Sequence, residues 1–415
     1  MMEKLFKKKL GITGLFLALL LMSGCTPVVK KEVREENVPS KLRFYGQVKE
    51  YTSTGEMLDA LQKEFADEYE IEAEPVDWEN IENEIQMQII SGDPCDVLIV
   101  PMNRLEKLEG LAMDLTPYVE EDPDWKSSFN KAALKEGTVH GEIKAIPWEY
   151  NFPVILANRR LLEKAGVVIP QEWDYTAFEM ACEKVKSTGV YPFANAANMG
   201  HGGWLYRNGL LSLCQNTASY SQYMDGSLSP ESDEIRKTLQ TIRSLYEKDY
   251  MYTGSRAVNI RVNEIKAAYL KGEIAMITDI GTGARAARSE AAEAGIDTVL
   301  LPWPRMGSEN VIHSGSNGLF IPKNCKNPEA AIRLLKAYTG EEVQSIHLKH
   351  GYIPANQRVA AEDPFMESVR GQINYVRTEG RISSDLLEYI SYEMTPELVM
   401  DQGVGKAIQK ISELQ

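Results

Sequence analysis

Residues 141–166 read GEIKAIPWEYNFPVILANRRLLEKAG, and this stretch decides the fold. It opens on a turn at His140-Gly141 and runs through a short apolar segment to Pro147. Trp148, Glu149, Tyr150 and Asn151 follow, then a strand-like apolar run from Phe152 to Ala157, then a helix that ends at Gly166. Polar and aromatic side chains wedged between two extended apolar segments suit a crossing between two lobes. They also suit the floor of a ligand site.

The flanking sequence fits that reading. Upstream, Lys41–Gly46, Ile71–Val76 and Asp96–Pro101 read as strands. Between them lie helices carrying Met57, Leu61 and Phe65, then Ile81, Ile85 and Ile89, each set on one face. Ser53 and Glu56 have capping-box spacing. Strand and helix in alternation predict an α/β layer with a mostly parallel sheet, whose ligands bind beyond the carboxyl ends of strands. The loops holding Glu50, Tyr51 and Asn103 lie at such ends. Downstream, Asp174 caps a helix with Phe178, Ala181, Cys182 and Val185 inward. A Gly-, Asn- and aromatic-rich segment contains Trp204, and a strand over 272–277 leads to a loop with Asp279. Pro302-Trp303-Pro304 is rigid and extended, a second candidate crossing. Ser316 and Asn317 lie in a tight loop before the strand Leu319–Pro322. Asn327-Pro328 opens a helix with Ala331, Leu334, Leu335 and Tyr338 inward.

The 415 residues exceed one typical domain. A formal charge of -15 without a basic cluster argues against a nucleic-acid partner. Lys4, Lys7, Lys8 and Lys9 precede an apolar run from Leu10 to Met22, too short to span a membrane comfortably. Residues 1–24 are therefore expected to be a signal peptide. Ser23-Gly24-Cys25 resembles the lipobox of bacterial lipoproteins, with Met22 where Leu is usual. That resemblance implies a lipid on Cys25 and a tether over 25–40 holding the protein to the outer face of the cell membrane. A plain secretory signal with a chance cysteine is the bland alternative. Cys95, Cys182, Cys214 and Cys325 are even in number, which permits a disulfide, but their apolar or turn contexts favour free thiols.

Several of these segments together resemble the solute-binding proteins of bacterial carbohydrate ABC importers, the maltose-binding-protein-like group. The runs GEIKAIPW (141–148), NRRLLEKAG (158–166) and GLFIPKNCKNPEAAIRLLKAYTG (318–340) carry the resemblance. It implies a two-lobe α/β fold, periplasmic-binding-protein-like, with hinge strands between the lobes. One lobe is expected over 41–152 and 302–345, the other over 153–301 and 346–415. Function follows as an expectation: a monomeric, cofactor-free receptor, not an enzyme, that hands a sugar to membrane permease subunits. Many relatives carry a Trp where this chain has Gly283, so stacking on a sugar from that side is not expected here.

Sugar rings have apolar faces and hydroxyl edges, so their sites pair aromatic platforms with carboxylates and amides. Trp148, Glu149 and Asn151 suit this, with hinge packing as the competing role, and so do Trp204 and Asp279. Trp303 competes with hinge packing more strongly. Glu50, Tyr51, Asn103 and Ser316 compete with plain loop and turn roles. Trp148 emerges as the leading platform. Carboxylates are plentiful enough to draw a glycosidase-like pair, so a secreted carbohydrate-active lipoprotein hydrolase stands as the alternative. His347 and His350 share a helix face but lack the partners of a metal site.

Overall fold

The computed structural model describes residues 40–46, 52–66, 68–77, 80–197, 200–400 and 403–415. Cys25, Glu50 and Tyr51 lie outside them. Two sheets organise the chain. The larger has six strands in the order Ile353–Pro354, Ile146–Tyr150, Asn317–Phe320, Val97–Pro101, Ser40–Gly46, Tyr69–Pro75. Ser40–Gly46 runs parallel to both neighbours, and Asn317–Phe320 runs antiparallel to both of its own. Val97–Pro101 is central and buried along VLIV, as a strand covered on both faces must be. Helices Thr54–Phe65 and Ile81–Ile90 bury the predicted faces.

The smaller sheet has the order Thr298–Leu301, Pro153–Asn158, Ile274–Ile280, Tyr191–Ala194. Helix Tyr175–Lys186 packs on it, and Asp174 caps that helix by accepting from Ala177 N at 2.8 Å. Each sheet and its helices form one lobe of a mixed α/β fold.

The chain passes between the two sheets more than once. Ile146–Tyr150 ends the first visit to the larger sheet and Pro153–Asn158 opens the smaller one. The second passage runs from Thr298–Leu301 to Asn317–Phe320. Along it Trp303 is buried and donates its indole N–H to the Pro153 carbonyl at 2.7 Å. Trp173 does the same to the Pro302 carbonyl, also at 2.7 Å. Trp303 is therefore a packing residue of the crossing. The last passage comes after Pro354. Ile353–Pro354 pairs with Ile146–Tyr150, and helix Glu341–Lys349 packs on Thr54–Phe65, so residues 346–354 stay with the first lobe although the sequence expectation gives 346–415 to the second.

One local expectation changes and one holds. Ser53 makes no cap bond to its helix; its hydroxyl is taken by His347 Nδ1 at 3.0 Å. Cys95, Cys182, Cys214 and Cys325 are all free thiols, three of them buried.

Candidate functional site between the sheets

The carboxyl ends of strands from both sheets meet at the crossings, so the side chains there form two facing walls and a floor. The floor includes Asn151. Its carbonyl accepts from Gly315 N at 2.6 Å, and its side-chain oxygen accepts from Thr282 Oγ1 at 3.4 Å. One half-buried residue thus ties both crossings to the loop after Ile274–Ile280.

The neighbouring Trp148 and Glu149 are not at the surface of this floor. Trp148 is 1% exposed. Tyr338 lies against its ring with centroids 5.4 Å apart, and His347 with centroids 4.7 Å apart. Glu149 is fully buried, accepting from Asn317 Nδ2 at 2.5 Å and facing His347 Nε2 at 3.2 Å. Burial holds the His347 imidazole below its usual pKa, and Glu149 offsets this only in part. A neutral ring with Nε2–H toward Glu149 and Nδ1 accepting from Ser53 satisfies all three groups. Both predicted site residues are thus committed to the first lobe's core. His350 is engaged as well, with Thr52 and Glu56.

The second-lobe wall is built on a close backbone approach. Gly200–Gly203 is a 3-10 turn leading into helix Trp204–Cys214. A Cβ on Gly202 would stand 2.1 Å from the Ala197 carbonyl oxygen and 2.5 Å from that of Ser391, so only glycine admits this contact. Against it lies the π-helical turn Tyr389–Glu393, a local geometry common at functional sites. The turn leaves Tyr392 half exposed, with its hydroxyl over Gly200. His201 stacks on Trp204 at 3.8 Å and 19°. Asp279 is buried, accepts from Ile280 N at 2.8 Å and pairs with Lys266 Nζ at 3.1 Å. Burial lowers the His201 pKa to about 4; Asp279 opposes this and Lys266 reinforces it. Trp204 and Asp279 are thus each engaged by a residue that sequence reasoning did not single out, a histidine and a lysine.

The first-lobe wall carries Asn103, exposed on the 3-10 turn Met102–Arg104 beyond Val97–Pro101. Ser316 is buried and donates to Glu136, which also accepts from Ser314 Oγ at 3.1 Å. Glu136 was invisible in the sequence, because nothing marks it beyond its place before Gly137. Burial pushes its carboxyl up to about 7, with the two serine hydroxyls opposing and the charge of Glu379 adding. The sign is that of a raised acid. Stability from this group is complete below pH 4.5 and is lost as pH rises through 7. Glu136→Gln should therefore stabilise the ligand-free protein by roughly 1–3 kcal/mol at pH 8 and by nothing at pH 4.5. Urea unfolding at the two pH values measures this.

Glu379 belongs to the opposite side. Arg207 on helix Trp204–Cys214 donates Nε to its Oε1 at 2.7 Å and Nη2 to its Oε2, a bidentate pair. The next residue, Asn208, accepts from His313 N at 2.8 Å and contacts His313 Nδ1 at 2.9 Å, fastening the second crossing to the same helix. Further contacts bridge the lobes at the rim. Lys107 Nζ donates to Ser384 Oγ at 3.2 Å, Arg381 pairs with Glu106, and Arg285 donates to the Lys349 carbonyl.

Residues 56–369 match the family described as bacterial extracellular solute-binding protein. Solved structures share the architecture at low identity. The sugar-binding protein MalE from the phytopathogen Xanthomonas citri aligns with a TM-score of 0.76 and 16% identity, covering 90% of this chain and 96% of that one. Maltose-bound MalE3 of T. maritima aligns at 0.67 and 19% identity, covering 90% and 98%. A probable secreted solute-binding lipoprotein from Streptomyces coelicolor aligns at 0.75 and 14% identity, covering 91% and 98%.

Proposed function

Because the chain belongs to the bacterial extracellular solute-binding protein family, we propose that it captures a sugar or oligosaccharide between its lobes and delivers it to the permease subunits of an ABC importer. The observation that carries the reading is the meeting of two unlike walls at the crossings. One offers Tyr392, His201 and Trp204 with the Asp279–Lys266 pair. The other offers Asn103, Ser314, Ser316 and Glu136, with Asn151 between. Rings beside planar hydrogen-bonding groups suit a molecule with apolar faces and hydroxyl edges. The maltose in the T. maritima relative supports the ligand class. Trp148, Glu149 and Trp303 act in this reading as hinge packing. In this reading the receptor is a monomer; the signal-like residues 1–24 support export, with lipid on Cys25 as the anchor, and the S. coelicolor relative supports a lipoprotein.

A thermal-shift screen over monosaccharides, disaccharides, oligosaccharides, polyols, peptides and metal ions tests this. One sugar class should raise the melting point saturably, by the equivalent of about 2.7 kcal/mol at 100 times its Kd. That sugar should be recovered unchanged. Hydrolysis of the sugar, or a response to peptide or metal alone, overturns the reading.

A further inference from the structure

Helix Lys131–Glu136 ends in a glycine for a steric reason. A Cβ on Gly137 would lie 2.1 Å from the Ala145 carbonyl oxygen. The Gly137 carbonyl accepts from Lys144 N at 2.8 Å and Ala145 N at 3.2 Å. This closeness lowers the helix end onto the loop before Asn317–Phe320 and drives Glu136 into it. Ser314 Oγ donates to Oε1 at 3.1 Å with a longer contact to Oε2, and Ser316 Oγ donates to Oε2. The Tyr150 hydroxyl is buried nearby, and burial together with the Glu136 carboxylate raises its pKa. The Ala133 amide approaches the hydroxyl oxygen and opposes that rise, but among the described residues no acceptor meets the hydroxyl's own proton. Among the described residues Glu136 has no ion-pair partner, and burial with a smaller contribution from Glu379 raises its pKa to about 7.

We propose that Glu136, Ser314, Ser316 and the Tyr150 hydroxyl form a hydroxyl-binding subsite, and that the Glu136 carboxylate, which has no ion-pair partner among the described residues, restricts the ligand to neutral sugars, excluding uronic acids and sugar phosphates. The inference rests on the sugar-receptor reading. Ser314 and Ser316 already spend their protons on Glu136, so their lone pairs are available to ligand hydroxyls. Tyr150 supplies a buried donor, and an unmet buried donor is costly until a ligand meets it. A sugar diol can donate to Glu136 and accept from Tyr150. A ligand carboxylate or phosphate brings a second negative charge beside Glu136. Arg207 and Glu379 neutralise each other in a bidentate pair, and Glu136 has no ion pair of its own among the described residues.

The test uses calorimetry on the mature protein at pH 8, with the neutral sugar found by screening and its matched uronic acid and phosphate. The wild type should bind the neutral sugar at least tenfold more tightly than either acid. Glu136→Ala should weaken the neutral sugar at least tenfold. Glu136→Gln should recover affinity to within threefold of wild type and reduce the discrimination against the uronic acid to less than threefold. Melting curves of both variants confirm that folded protein is compared. Uronic acid binding within threefold of the neutral sugar, or an unchanged affinity in Glu136→Ala, overturns the subsite while leaving the sugar receptor standing. Binding of the acids alone, or of no sugar at all, overturns both.

Discussion

Trp148→Ala should cost the protein about 3–5 kcal/mol of stability and leave ligand affinity in the folded fraction within threefold of wild type. The indole fills the space between strand Ile146–Tyr150 and helices Pro328–Tyr338 and Glu341–Lys349, touching Tyr338 and His347. Truncation removes a large buried apolar area and leaves a cavity that three elements cannot close together. Urea unfolding with calorimetry on the folded protein separates the two effects. An unchanged unfolding midpoint with tenfold weaker binding would return Trp148 to the role of sugar platform.

Stability should also fall steeply as pH drops from about 6.5 toward 5. His201, His313 and His347 are all held neutral by burial. The first is lowered to about 4, His313 goes well below its usual value with Arg207 adding to the effect, and His347 is lowered despite Glu149. In the unfolded chain each takes up a proton near pH 6.5. The unfolded state then holds more protons than the native one, so the fold loses stability as pH falls. Glu136 acts oppositely over this range, since only its native form stays protonated, and the three histidines outnumber it. Unfolding free energies measured at pH 7, 6 and 5 give the slope directly. A flat profile would mean that the histidines titrate normally in the fold.

The fold was legible wherever burial imposes a period. Ile81, Ile85 and Ile89 fall on one helix face, and Val97–Pro101 is apolar throughout because a central strand is covered on both sides. The crossing at 146–158 announced itself by polar residues set between apolar runs. The site was only partly legible. Asn151 joins the Gly315 and Thr282 loops, as a crossing residue should. Trp148 was misleading, because sequence gives a ring's type but not what covers it, and its cover comes from Tyr338 and His347, far along the chain. Ser53 had true capping spacing, yet its hydroxyl goes to His347, which a tertiary contact brings closer than the helix amides. Glu136 and Glu379 carry no local pattern at all. Their placement depends on Gly137 permitting one backbone approach and on Arg207 fixing the other carboxylate.

The stacked His201–Trp204 pair has a practical consequence. Of the tryptophans at positions 125, 148, 173, 204 and 303, four are sealed in packing. Trp125 donates to Thr339, Trp173 and Trp303 to crossing carbonyls, and Trp148 lies under two rings. Trp204 is buried too, but its cover is a stacked imidazole on the turn that packs against the half-exposed Tyr392. The pair offers an optical gauge. A ligand that moves His201 should change the indole emission, and a Trp204→Phe protein, which keeps the other five tryptophans, is the control.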